Sequence, residues 1–166
     1  MDRTEILRLL RQLAARLHER GIDGEMYAVG GAAIAIAFDE RRATRDIDAV
    51  FEPKHIVYEI AGEMAEEMGL APGWLNDAVK GFLAGPDPDA ATVLDIPGLA
   101  VSSASPRMLL ALKVLAHRVG EDEKDLRILA STLGLDSADA VLAVAEDVYG
   151  DRLDAAARFF VEELFG

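Results

Sequence analysis

The sequence predicts a mixed α/β domain followed by an all-helical region. Three observations carry this. Apolar residues make up 51% of the 166-residue chain, enough to build a core. Up to about residue 104, short strand-like runs alternate with helix-like ones. From Ser105 onward every periodic segment has helical spacing.

The elements follow in order. Residues 3–20 read as an amphipathic helix, with Ile6, Leu7, Leu10, Leu13 and Leu17 interrupted by five arginines and closed by Gly21 and Gly24. Met26–Val29 is a short apolar strand that runs into Gly30-Gly31, and residues 32–38 have the small apolar character of a buried helix. Arg41 to Arg45 form a basic turn. Asp46–Phe51 alternates as a strand does, and residues 54–69 place Ile56, Ile60, Met64 and Met68 on one helical face. Residues 72–90 are punctuated by Gly and Pro and contain one short helical stretch, at 75–82. Strands are expected at 92–96 and 99–103, separated by Pro97-Gly98. Ser105-Pro106 is a helix start, a capping serine with proline in the first turn. Helices are then expected at 106–119, 122–133, 137–149 and 151–165, with Gly134 and Gly150 as stops. The boundary is drawn as 1–104 for the α/β core and 105–166 for the helical region packed on it. Spacing alone leaves open whether these are two domains or one.

Composition narrows the function classes. There is no cysteine, which removes disulfides, thiolate nucleophiles and cysteine-zinc sites. The net charge is −13, unevenly spread: residues 1–50 hold 8 Lys/Arg against 9 Asp/Glu, and residues 51–166 hold 9 against 21. Such a surface repels a nucleic-acid backbone at long range, although it leaves room for a nucleotide or an RNA end held locally. No apolar run is long enough for a signal peptide or membrane span, so a cytoplasmic protein without a membrane partner is expected.

One constellation carries chemistry. A strand, Gly30-Gly31, a helix, a basic turn and then Asp46-x-Asp48 on a strand occur in that order. Residues two apart on a strand share a face, so the two carboxylates point the same way and repel unless a cation lies between them. Hard oxygen donors favour Mg²⁺. The glycines let phosphates approach the backbone, and the following helix offers its first N–H groups. Either half alone is weak, since Asp-x-Asp is also two solvated acids on an edge strand and Gly-Gly is also a plain turn. The ordered combination is the signal.

Tyr27-Ala-Val-Gly-Gly31, fourteen residues, then Asp46-Ile-Asp48-Ala-Val50 resembles the signature of the DNA-polymerase-β-like nucleotidyltransferase superfamily. The run Arg42-x-Thr44-x-Asp46, together with a second block from Ser105 through Lys113 to Arg118 and then Asp122-x-x-Asp125, is similar to its AbiEii-like branch. That branch includes small bacterial toxin–antitoxin nucleotidyltransferases. The resemblance spans about residues 26–133. It implies a nucleotidyltransferase-like mixed sheet with flanking helices. It also implies two Mg²⁺ ions at Asp46 and Asp48, and an NTP held by Gly30, Gly31, Arg42, Thr44 and Lys113, with Asp125 orienting the lysine or contacting base or acceptor. An acceptor hydroxyl then attacks the α-phosphate and pyrophosphate leaves. On their residues alone, Lys113 and Asp125 read more readily as helix-surface residues making helix pairs. The superfamily's third metal carboxylate is assigned to Asp95, with Asp77 as rival.

The acceptor suggested by this resemblance is a tRNA 3′ end, with a protein hydroxyl left open by the acidic surface. An antibiotic acceptor is a further option within the class. The partners expected are an NTP, that macromolecule, and a cognate toxin or antitoxin protein. The alternative is a non-catalytic partner-binding module on a degenerate version of the same fold. Arg41, Arg42 and Arg45 read either as phosphate contacts or as a solvated turn. His18, His55 and His117 share no metal-ligand spacing, and Ser102, Ser103 and Ser105 lack a base. Asp147 and Asp151 are expected as helix caps, and Tyr149, Phe159, Phe160 and Phe165 as core or interface.

Overall fold

A computed structural model describes residues 1–166. The chain divides into two compact units, Met1–Gly81 with Ala90–Ala104, and Phe82–Asp89 with Ser105–Gly166. The first is a mixed α/β unit and the second is helical, as the fold class expects. Residues 82–89 go with the helices rather than with the sheet. Nothing in a Gly/Pro-rich loop announces that allegiance.

In the first unit, α1 (Arg3–Glu19) is capped by Asp2, whose carboxylate accepts from the Glu5 N–H at 2.9 Å. It buries Ile6, Leu9, Leu10, Leu13 and Leu17 completely. β1 (Gly24–Val29) leads into α2 (Gly30–Ala37), so the paired glycines lie inside the first helical turn and do not precede it. β2 (Ile47–Glu52) is followed by α3 (Lys54–Met68), β3 (Leu75–Asn76), β4 (Ala91–Ile96) and β5 (Leu99–Ser103). The sheet order is β3-β2-β1-β5-β4, with β1 antiparallel to β2, parallel to β5, and β3 parallel to β2.

The register explains the layers. One face carries Ile47, Ala49 and Phe51 of β2, Met26 and Ala28 of β1, and Leu99 and Val101 of β5. All are buried, and α1, α2 and α3 pack on the sheet. The other face carries three rows of residues, all but the buried Val29 more exposed. Asn76, Asp48 and Val29 form the first, Val50, Tyr27, Ser102 and Thr92 the second, and Glu52, Glu25, Ala100 and Asp95 the third. Burial alternates along β2 because one side of the sheet has a helical cover from its own unit and the other does not.

The expected short helix at 75–82 is corrected. Leu75 and Asn76 are a two-residue strand, and only Ala78–Phe82 winds, as a 3₁₀ turn. The strand is pinned by Trp74, which is buried. Its indole N–H donates to the Ala61 carbonyl at 2.9 Å, while its own carbonyl accepts from the Ile47 N–H at 2.7 Å.

The second unit holds α4 (Pro106–Ala116), α5 (Glu123–Thr132), α6 (Ala138–Tyr149) and α7 (Ala155–Phe165). Ser105, Ser137 and Asp154 cap α4, α6 and α7, accepting from Met108, Ala140 and Ala157. α7 therefore begins four residues later than periodicity suggests, because Gly150–Arg152 is a 3₁₀ turn. Asp151 is not a cap, and Asp147 lies inside α6 paired with Arg107. Tyr149 and Phe160 are buried, Phe165 is half-buried, and Phe159 is 67% exposed. The Tyr149 hydroxyl donates to the Phe82 carbonyl at 2.6 Å, tying the 82–89 segment to α6, and burial pushes its pKa up to about 12. No helix is long and apolar enough to cross a membrane.

Candidate active site

The site begins where β1 becomes α2. Val29 is extended and Gly30 takes φ 64°, a left-handed conformation that costs other L-residues about 1–2 kcal/mol. A Cβ on Gly30 would lie 3.2 Å from Asp48 Oδ2. A Cβ on Gly31 would lie 2.9 Å from a terminal guanidinium nitrogen of Arg42 and 2.9 Å from the Thr44 hydroxyl. The missing side chains are thus the space into which Asp48, Arg42 and Thr44 lean.

The basic turn is fixed locally. The Arg42 N–H donates to the Asp39 carbonyl at 3.0 Å, and the Thr44 N–H donates to the Met1 carbonyl at 2.9 Å. The Thr44 hydroxyl donates to the Asp46 carbonyl at 3.0 Å, setting the backbone just before β2. Asp46 immediately precedes that strand and Asp48 is its second residue, both half-exposed. Gly30, Gly31, Arg42, Thr44 and Asp48 are therefore gathered around one strand–helix junction, with Asp46 next along the chain. Arg41 is 91% exposed and reaches only Asp39, at 3.6 Å.

Neither acid considered for a third metal ligand joins them. Asp95 is corrected by the register. It lies on the edge strand β4, opposite Ala100, in the row of Glu25 and Glu52. That is three strand spacings from Asp48, about 14 Å, and four residues along, about 13 Å. Asp77 follows β3 and is turned toward α3. Its carboxylate accepts from the Tyr58 hydroxyl and pairs with Lys54 at 3.0 Å. The Tyr58 hydrogen bond and then the lysine hold it below the usual carboxylate range, while burial and Asp77 push the phenol up. No three of the chain's histidine, aspartate and glutamate side chains come together as a metal-ligating group.

The neighbour that does stand beside the pair is Asn76. It is in register with Asp48, and its amide nitrogen donates to Asp46 Oδ2 at 3.4 Å. Two hard carboxylates, with room for phosphate oxygens and water, are a donor set Mg²⁺ accepts. The residues present fit a divalent ion, and the expected Asp95 is not among its donors.

The residues of the second block meet on the helical unit. The Lys113 ammonium lies 2.9 Å from Asp122 Oδ1 and 2.9 Å from Asp125 Oδ2. All three are buried, the lysine 6% exposed. Arg118 closes the cluster through its backbone N–H and guanidinium, all within 3.2 Å of the Asp122 carboxylate. Burial alone would raise the Asp122 pKa, but the Arg118 hydrogen bond and the Lys113 charge outweigh it and leave the carboxyl below its ordinary value. Lys113 and Asp125 do pair. Asp122 had no role in the motif reading, and its signal was only its three-residue spacing from Asp125.

The chain matches no family model and no curated protein. Among solved structures it is similar to the crystal structure of an antigenic nucleotidyltransferase-like protein from Paracoccidioides brasiliensis. That similarity has 17% identity and a TM-score of 0.49, and covers 95% of this chain and 94% of the other. A likeness of that strength assigns neither an activity nor a family.

Proposed function

We propose that this chain is a nucleotidyltransferase. In this reading the Gly30-Gly31 junction holds the phosphates of an NTP, and Asp46 and Asp48 hold Mg²⁺. The observation that carries it is the approach of Asp48, Arg42 and Thr44 into the space vacated by the two glycines. A plain turn has no need to bring a carboxylate, a guanidinium and a hydroxyl onto adjacent glycines.

Each residue then has a task. The N-terminal N–H groups of α2 and the Arg42 guanidinium meet negative phosphate oxygens. The Thr44 hydroxyl fixes the Asp46 backbone, so the two carboxylates keep a constant spacing. When bound, the ion supplies charge neutralisation at the phosphates. The acceptor oxygen forms its bond to the α-phosphorus as the bond to pyrophosphate breaks, and the hydroxyl proton passes to solvent. The acceptor favoured is a tRNA 3′ end, with a protein hydroxyl as second choice, in a toxin–antitoxin setting with a cognate protein partner. Lys113 and Asp125 enter as an internal ion pair of the helical unit, because a phosphate contact would require the buried ammonium to leave two carboxylates.

The second reading, a partner-binding module on a degenerate fold, is favoured by one observation, the absence of a third carboxylate beside Asp46 and Asp48. The discriminating experiment incubates the protein with each α-³²P-labelled NTP, Mg²⁺, and total tRNA or lysate, beside Asp46→Asn. Label in RNA or protein with the unmodified chain alone supports transfer. No label in any combination, with no Mg²⁺-dependent NTP binding, supports the module.

A further inference from the structure

Resting on the reading of the Gly30-Gly31 junction as an NTP site, we infer that Tyr27 is its nucleoside-contacting residue. The sheet face away from α1, α2 and α3 is then the shelf on which the uncharged part of the nucleotide lies. β1 runs straight into the junction, and Tyr27 stands three residues before Gly30, on the same face as Asp48. Its register partners are Val50 on β2 and Ser102 on β5, with Thr92 beyond, so a single ring stands in a row of short side chains. Tyr27, Val50 and Ser102 are all half-buried. This row lies one strand across and two residues along from Asp48, about 8 Å by strand geometry. A nucleotide makes a step of that order between its phosphates and its base.

Charge along the face decides which end of the nucleotide goes where. At the junction are the first N–H groups of α2 and the Arg42 guanidinium beside Gly31. At the far end Glu25 is opposite Glu52, and Asp95 shares their row, all three exposed. Phosphates are therefore drawn to the junction and repelled from the third row. The row between them carries no charged side chain. What fits there is neutral and flat with polar edges, which is the chemistry of a base and its ribose. An RNA backbone laid across the same shelf would meet the three carboxylates, so the shelf suits the nucleoside and not a polyanionic acceptor. A tyrosine ring offers a base a stacking surface, and its neighbours Val50 and Ser102 are too short to compete for that surface.

The test is calorimetry in Mg²⁺ with two probes, inorganic tripolyphosphate and the α,β-methylene analogue of each NTP. The difference between them isolates the nucleoside. The unmodified chain should bind its best analogue at least about tenfold more tightly than tripolyphosphate, as base–aromatic stacking does. Tyr27→Ala should erase that preference and leave tripolyphosphate affinity unchanged, whereas a tyrosine that only supported the fold would weaken both probes alike. Tyr27→Phe should keep the preference, because the ring and not the hydroxyl makes the contact. Ser102→Phe should fill the shelf and erase the preference as well, which decides the matter should Tyr27→Ala fail to fold. Equal binding of the two probes by the unmodified chain, or a preference that survives Tyr27→Ala or Ser102→Phe, would overturn the inference and leave the phosphate site standing. Binding of neither probe would overturn both.

Discussion

The molecule contains two aspartate pairs, built on opposite plans. Asp122 and Asp125 lie within a helical stretch, are buried, and have their cation supplied by the chain itself, in the Lys113 ammonium 2.9 Å from each. Asp46 and Asp48 lie at the start of a strand, half-exposed, the first accepting from the Asn76 amide and the second leaning over Gly30 beside the Arg42 guanidinium. The first pair is closed, sealed inside the helical unit around the lysine. The second keeps its oxygens on an accessible face. Spacing in the sequence treats both as acidic motifs, but only burial and partners separate a structural pair from one arranged to receive something.

The comparison is broken most sharply at Lys113. Lys113→Met removes the ammonium that two buried carboxylates share, and removing one partner of a buried pair costs about 3–5 kcal/mol. Urea unfolding should show this loss. The combined Lys113→Met, Asp122→Asn and Asp125→Asn protein should recover most of it, since the two negative charges are then removed together with the positive one. Equal stability of Lys113→Met and the unmodified chain would show that the ammonium is not holding the helical unit.

Acid tests the same cluster next. The Asp122 carboxyl is held below its ordinary pKa, so its stabilising contribution is complete above about pH 4 and is lost as pH falls through the folded value. Thermal unfolding followed from pH 6 to pH 2 should show this loss below pH 4, and Asp122→Asn should flatten that part of the curve. A smaller effect is expected at the strand–helix junction. Gly30→Ala forces a left-handed alanine and crowds Asp48, for about 1–2 kcal/mol of stability, with weaker NTP binding measured by calorimetry. The smallest stability effect belongs to Asp46→Asn, a half-exposed substitution expected to shift unfolding by no more than about 0.5 kcal/mol.

Much of this arrangement was legible in the sequence. The strand, the glycines and Asp46-x-Asp48 were readable because strand alternation and a glycine turn are local properties. The glycines' closeness to Arg42, Thr44 and Asp48 agrees with the order of those motifs. Asp95 was misplaced because a strand's identity can be read from alternation, but its position in the sheet cannot. Its polar residue between apolar neighbours described an edge strand equally well. β3 escaped because two residues have no period, and Asn76 with it. Its place is set by Trp74, whose indole bond to Ala61 is a long-range contact. The start of α7 was missed because Asp154, not Gly150, sets it.

The central claim is that Asp46 and Asp48 form a receiving site, and ligand-linked melting tests it most directly. Unfolding of the unmodified chain and of Asp46→Asn should be compared with Mg²⁺ and each NTP present, and with neither. A ligand at a hundredfold its dissociation constant stabilises a folded protein by about 2.7 kcal/mol. The account predicts an upward shift for the unmodified chain with one or more NTPs, only when Mg²⁺ is present, and none for Asp46→Asn. An equal shift in both proteins, or one that does not depend on Mg²⁺, would contradict it.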